Sequence, residues 1–159
     1  MRIEKIELLV YDFDGVMTDN TVYLNENGIE MVKVNRSDGL AISLIKDFGI
    51  KQIIISSEKN SIVEMRAKKV GIECIYGVKD KVEALINYAN NGNIELSKVA
   101  FVGNEINDLE VMKIVGFSIA PFDAHNKIKE LANYVTNSIG GGGVIREIYD
   151  LILMRDEHE

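Results

Sequence analysis

The sequence is poor in the residues that staple or export a chain. It has one cysteine, Cys74, so no internal disulfide can form, which fits a reducing compartment such as the cytoplasm. No apolar run approaches the roughly 20 residues that span a bilayer. The opening Met1-Arg2-Ile3-Glu4-Lys5 lacks the apolar stretch and small-residue cleavage site of an export signal. A cytoplasmic protein with no membrane contact is therefore expected. Positive charge is in deficit, since 18 Lys and Arg against 25 Asp and Glu give a net charge of −7. That balance disfavours nucleic acid as a partner. The two histidines, His125 and His158, lack metal-ligand spacing. If the ligand is anionic, such a chain must bring in cations to hold it, and a metal ion with a local lysine would do so.

The 159 residues, 47% hydrophobic and 27% charged, suit one soluble domain over residues 1–159 that buries about 70% of its extended-chain surface. Continuous apolar runs at Ile6 to Tyr11, Gln52 to Ile55, Val99 to Val102 and Phe117 to Ala120 read as strands covered on both faces. Between them Ala41, Leu44, Ile45 and Phe48, and again Val82, Leu85, Ile86 and Ala89, fall at helical spacing. Gly49, Gly71, Gly92 and Gly116 follow helical stretches, where left-handed C-terminal caps are expected. The pattern is α/β, a doubly wound and mainly parallel sheet. One insertion interrupts it: residues 21–35 have no helical period and turn at Asn25-Glu26-Asn27-Gly28, which reads as a β-hairpin. A lone hairpin is marginal in water, so this one is expected to pack on another surface such as a neighbouring subunit.

The first strand ends in Tyr11-Asp12-Phe13-Asp14-Gly15, two carboxylates at the strand end where doubly wound sheets present their ligand site. Two like charges so close repel, and a divalent cation is the simple remedy. With Mg²⁺ bound, Asp12 can stay ionised and attack phosphorus while Asp14 serves as acid and then base. An isolated Asp-x-Asp also fits a pair of turn or N-capping aspartates. Ser56 ends the second strand with a hydroxyl, and Lys81 opens the helix after Gly77-Val78-Lys79-Asp80. Taken singly, these fit a helix cap and a solvated lysine. Gly103-Asn104-Glu105-Ile106-Asn107-Asp108 follows the third strand and offers oxygens to a hard cation.

Four motifs in this order, at the ends of consecutive strands, resemble the haloacid-dehalogenase superfamily across essentially the whole chain. The resemblance implies a haloacid-dehalogenase-like Rossmannoid fold with Asp12 as nucleophile and Asp14 as general acid/base. Ser56 and Lys81 become the second- and third-motif residues. Mg²⁺ is then held by Asp12, by the backbone carbonyl of Asp14 and by the fourth motif, where Asn104 stands in place of the usual Asp and Glu105 or Asp108 can compensate. Asn35-Arg36-Ser37-Asp38-Gly39, the hairpin, and the tail Gly140-Gly141-Gly142-Gly143-Val144-Ile145-Arg146-Glu147 are similar to the capless subgroup. That subgroup acts on 8- or 9-phosphates of keto sugar acids and includes octulosonate 8-phosphate phosphatases, deaminoneuraminate 9-phosphate phosphatases and a phosphatase-like domain of acylneuraminate cytidylyltransferases. It implies no cap domain and a homotetramer in which hairpins meet at the centre.

At the second motif the octulosonate enzymes resemble Thr/Ser-Gly-Arg, whereas this chain has Ser56-Ser57-Glu58. That is closer to the acylneuraminate group and tilts the expected substrate towards a sialic-acid-like 9-phosphate. Glu58, Arg66 and Lys69 match positions that contact the sugar acid there; Arg66 and Lys69 equally fit a solvated helix face. The glycine run, Gly142 included, is expected to bring backbone N–H groups to an anion and Arg146 to pair a carboxylate, with a flexible loop before a helix as the alternative. Two other functions compete. Asn104 motivates a weakly active or inactive assembly module associated with a cytidylyltransferase. A signalling receiver domain shares the fold type, but its adjacent acidic pair is not matched, because Phe13 separates Asp12 from Asp14.

Overall fold

The computed structural model describes residues 6–156. Strand β1 (Leu8–Tyr11) is followed by the short strands β2 (Tyr23–Leu24) and β3 (Glu30–Met31), then helix α1 (Arg36–Asp47) and β4 (Lys51–Ile55). Next come α2 (Ile62–Val70), β5 (Glu73–Ile75), α3 (Lys81–Asn91) and β6 (Val99–Val102). The chain continues through α4 (Leu109–Ile114), β7 (Phe117–Ala120), α5 (Asn126–Leu131), β8 (Tyr134–Val135) and α6 (Val144–Asp156). Six strands form one sheet in the order β5-β4-β1-β6-β7-β8, and every pairing in it is parallel.

β1 lies between β4 and β6, with Tyr11 beside Ile54 on one side and Val102 on the other. Its side chains alternate between two cores. Leu9 and Tyr11 join Ile42, Ile45, Ile145 and Ile148 from α1 and α6. Leu8 and Val10 join Leu85, Ala89, Val111 and Ile128 from α3, α4 and α5. Helices thus cover both faces, which is why the strands read as continuous apolar runs. Each fully buried Leu, Ile or Val contributes about 1.5–3 kcal/mol to the sandwich.

The expected hairpin is present as β2 and β3, paired antiparallel with Tyr23 opposite Met31. It leaves the sheet entirely and exposes its apolar side chains, with Tyr23 69%, Leu24 65% and Met31 61% accessible. Among the expected caps, Gly49 and Gly71 adopt the left-handed conformation at φ 73° and 71°. Gly92 does not: its φ is −87°, and the left-handed turn falls one residue later on Asn93 (φ 52°). Asn tolerates that region because its short polar side chain can hydrogen-bond to the nearby backbone. Gly116 is not among the glycines with positive φ either. His158 and the tail beyond residue 156 lie outside the described residues.

Candidate active site

The central strand delivers Asp12 to the carboxyl edge of the sheet, where its backbone N–H still donates to the Val102 carbonyl of β6 (2.9 Å). The chain then turns sharply: Val16, Met17 and Thr18 all donate N–H groups back to the Phe13 carbonyl. Asp12 is almost completely buried. Its Oδ1 accepts from the Phe13 N–H (2.8 Å) and from Lys81 Nζ (2.8 Å).

Lys81 is the first residue of α3, whose N-cap Asp80 accepts from the N–H groups of Val82 and Glu83. A cation at the positive end of a helix is unfavourable, and this one is also only 4% exposed. Two carboxylates offset both costs, for Lys81 Nζ lies 2.8 Å from Asp12 Oδ1 and 2.6 Å from Asp108 Oδ1. Burial works against the ammonium, but the two acids outweigh it and raise the lysine above its ordinary pKa. Asp12 is pushed up to about 7, by burial first and by the Asp108 charge second, against the pull of Lys81. One lysine shared by two carboxylates leaves the cluster short of positive charge, and a further cation would complete it.

Asp14 is partly buried and Thr18 Oγ1 donates to its Oδ1 (3.2 Å). Burial raises its carboxyl pKa, opposed by the Thr18 hydrogen bond and assisted by the charges of Glu58 and Glu30. A carboxyl that holds its proton more readily than usual suits a general acid. Ser56, buried at the end of β4, accepts from the Glu58 N–H through Oγ (3.1 Å). That turn leaves its own hydroxyl proton to donate outward. An open cavity of about 400 Å³ is lined by Asp12, Asp14, Ser56, Ser57, Glu58, Lys59 and Asn107.

The Asn104 side chain sits directly over Gly15, whose φ of 80° and missing Cβ allow the approach. With its nitrogen turned inward the amide donates to Asp12 Oδ2 (3.2 Å) and to the Asp14 carbonyl oxygen (2.9 Å). With its oxygen turned inward, three oxygens converge instead. The amide end's 3.2 Å and 2.9 Å from the other two oxygens are close to the roughly 2.9–3.0 Å between adjacent ligands of an octahedral Mg²⁺ with 2.0–2.1 Å bonds. The donor set is therefore suited to a small hard cation.

Several expected site residues stand elsewhere. Asp108, expected as a metal ligand, has both oxygens taken: Oδ1 by Lys81, Oδ2 by the N–H groups of Asn104 (2.9 Å) and Glu105 (3.2 Å). It orients the lysine and the Asn104 loop rather than joining the three oxygens. Gly142, expected to offer its N–H to an anion, donates it to the Ile139 carbonyl (2.8 Å). Gly140 and Gly141 likewise spend theirs on Asp123 Oδ1 (2.9 Å) and the Val16 carbonyl (3.0 Å). These glycines serve close packing: a Cβ on Gly140 would collide with the Gly15 carbonyl, and one on Gly141 would lie 2.6 Å from the Asp19 nitrogen.

Arg146 lies on α6, paired with Asp150 (3.2 Å) beside a separate cavity shared with Asn35, Ser37 and Gly142. Arg66 donates from Nη2 to the Asn35 carbonyl (2.9 Å), and Lys69 is exposed. Neither lines the cavity at Asp12. Thr18, Lys59 and Asn107 do reach the site although sequence reasoning gave them no role. Thr18 was the findable one, since a hydroxyl four residues after Asp14 in a tight loop is within hydrogen-bond reach.

The fold and the polar cluster at its strand ends place the molecule among the α/β proteins that bind ligands at the carboxyl ends of their strands. Residues 45–148 match the family model described as haloacid dehalogenase-like hydrolase. The chain is 37% identical over 154 residues, 96% of its length and 82% of the relative's, to the 3-deoxy-D-manno-octulosonate 8-phosphate phosphatase KdsC of Salmonella typhi. Among solved structures it is similar to the 3-deoxy-D-manno-octulosonate 8-phosphate phosphatase of Moraxella catarrhalis in complex with a magnesium ion, a phosphate ion and a KDO molecule. That match has a TM-score of 0.91 and 33% identity and covers 96% of this chain and 88% of the other. The cobalt-bound enzyme of Haemophilus influenzae matches with a TM-score of 0.93 and 27% identity over 99% of this chain and 92% of the other. The chain belongs to the haloacid dehalogenase-like hydrolase family. No helix among the described residues is long and apolar enough to cross a membrane.

Proposed function

We propose that the protein is a magnesium-dependent phosphatase that removes the terminal phosphate of an eight- or nine-carbon keto sugar acid. The observation that carries this reading is the buried Asp12–Lys81–Asp108 cluster facing the Asn104 amide and the Asp14 carbonyl at the strand ends. The similarity to phosphatases of 3-deoxy-octulosonate 8-phosphate supplies the substrate class. Asp12, the carbonyl of Asp14 and Asn104 would hold the metal. When bound, Mg²⁺ neutralises charge on the phosphoryl oxygens and on Asp12.

In the first step an Asp12 carboxylate oxygen forms a bond to phosphorus as the ester P–O bond breaks, and Asp14 gives its proton to the departing sugar oxygen. In the second, Asp14 takes a proton from water, which attacks phosphorus and breaks the P–O bond to Asp12. Inorganic phosphate leaves and both carboxyl groups return to their starting forms. The Lys81 ammonium and the Ser56 hydroxyl stabilise the equatorial oxygens.

Glu58 at the cavity wall favours a nine-carbon, sialic-acid-like 9-phosphate, whereas the relatives favour the octulosonate 8-phosphate. The exposed apolar side chains of the hairpin support a homotetramer whose hairpins meet. A weakly active module that assembles with a cytidylyltransferase is the second reading, favoured by the neutral Asn104. The test is phosphate release from a panel of 8- and 9-phosphorylated sugar acids with millimolar Mg²⁺. Turnover of one substrate well above the rest, abolished by EDTA, is expected; release at background from every substrate would replace the enzyme with the assembly module.

A further inference from the structure

Asn104 is held by its backbone on two sides and rests its side chain on a third. Its backbone N–H donates to Asp108 Oδ2 (2.9 Å), its carbonyl accepts from the His125 N–H (2.9 Å), and its side chain rests against the α-carbon of Gly15. The end of that side chain cannot avoid Asp12 Oδ2 and the Asp14 carbonyl, 3.2 Å and 2.9 Å away. The Asp14 carbonyl can only accept, so without a cation only the amide nitrogen can satisfy it, and the same nitrogen reaches Asp12 Oδ2. A half-turn of the amide exchanges its nitrogen and oxygen with almost no change in shape. It would convert a two-armed donor into a third oxygen ligand at the same place.

We propose that Asn104 is a reversible stand-in for the cation: its N–H groups bridge Asp12 and Asp14 in the metal-free protein, and its oxygen turns inward when metal binds. This rests on the magnesium reading above. An ionised aspartate at position 104 can take only the second role. It would leave three oxygens facing one another in the metal-free protein and would hold the cation with one more charge. The asparagine therefore trades metal affinity for stability of the metal-free state, and a low-metal form of the protein keeps its catalytic loop in place.

The experiment uses the full chain, wild type and Asn104→Asp, in EDTA and in a Mg²⁺ titration, followed by calorimetry, thermal melting and the side-chain amide signals of Asn104 in nitrogen-15 NMR. In EDTA, Asn104→Asp is expected to melt below wild type, while binding Mg²⁺ about tenfold more tightly because ligand charge sets affinity. The wild-type Asn104 amide protons are expected to be hydrogen-bonded in EDTA and to lose that signature as Mg²⁺ saturates. This readout does not depend on how well the variant folds. Amide signals unmoved at saturating Mg²⁺, or a variant that melts as high as wild type in EDTA and binds Mg²⁺ no more tightly, would overturn the stand-in and leave the metal site standing. No heat and no rise in melting temperature with Mg²⁺ in either protein would remove the metal reading and the stand-in with it.

Discussion

The carboxyl edge of the sheet and the hairpin break the ordinary rule of burial in opposite directions. At the carboxyl edge of the sheet, Asp12, Lys81 and Asp108 put charge where water is almost absent. In the hairpin a few residues on, Tyr23, Leu24 and Met31 put apolar surface where water is plentiful. Each is costly for the chain by itself, and each becomes reasonable once a partner is supplied. For the charges a small cation would serve as that partner; for the hairpin, on the proposed assembly, another protein surface would. The buried site compensates internally as far as it can, with Asp12 Oδ1 and both oxygens of Asp108 facing donors. The hairpin side chains named above make no such effort.

The sharpest break of the charged region is Asp12→Ala, which removes the proposed nucleophile. We expect turnover in saturating Mg²⁺ to fall by about 10⁴-fold or more, with the circular dichroism spectrum unchanged; retained turnover would exclude Asp12 as the phosphate acceptor. Next comes Lys81→Met, which keeps the volume but leaves Asp12 and Asp108 facing each other without a cation. Loss of one partner from a buried ion cluster costs about 3–5 kcal/mol, measurable by urea denaturation, and the deficit should shrink when Mg²⁺ is added. A loss below about 1 kcal/mol would mean the lysine is not what holds the acids together.

Gly140→Ala tests how far the site depends on the backbone that supports it. A methyl group there meets the Gly15 carbonyl, so we expect destabilisation of about 1–3 kcal/mol from overpacking and a weaker Mg²⁺ affinity through the displaced Asp14 carbonyl. Unchanged metal binding would detach the glycine turn from the site. The mildest change is Leu24→Asp in the hairpin. An exposed side chain should alter subunit folding by no more than about 0.5 kcal/mol, yet the variant should sediment as a smaller species than wild type. If both proteins sediment alike, the exposed apolar side chains serve something other than self-assembly.

Much of this was legible beforehand because the signals were local. Runs such as Leu8 to Tyr11 and Val99 to Val102 show burial on both faces, and the Asp12, Ser56 and Lys81 motifs each sit where a strand ends or a helix begins. Long-range commitments were the part the sequence could not display. Asp108 looked like a ligand because it is acidic and near Asn104, but a lysine 27 positions earlier claims its free oxygen. Gly142 is a local case: its N–H, expected to reach an anion, closes a turn on Ile139 three residues back. Arg66 and Lys69 fit either a sugar-acid contact or a solvated helix face, and of the two only Arg66 turns inwards, to the start of α1. In each case the identity of the residue was informative and its hydrogen-bond partner was not.

The central position of β1 also governs how the chain must come together. Its neighbours begin at Lys51 and Val99, so as the ribosome releases the chain the first strand waits for both before either flank is covered. Pairing across such separations is slow compared with helix formation, and until then an apolar strand made early is open to wrong partners. The strand that leads into Asp12 is thus made before both of its neighbours and is among the last to be enclosed, and a cell producing this protein quickly would need to shield it in the interval.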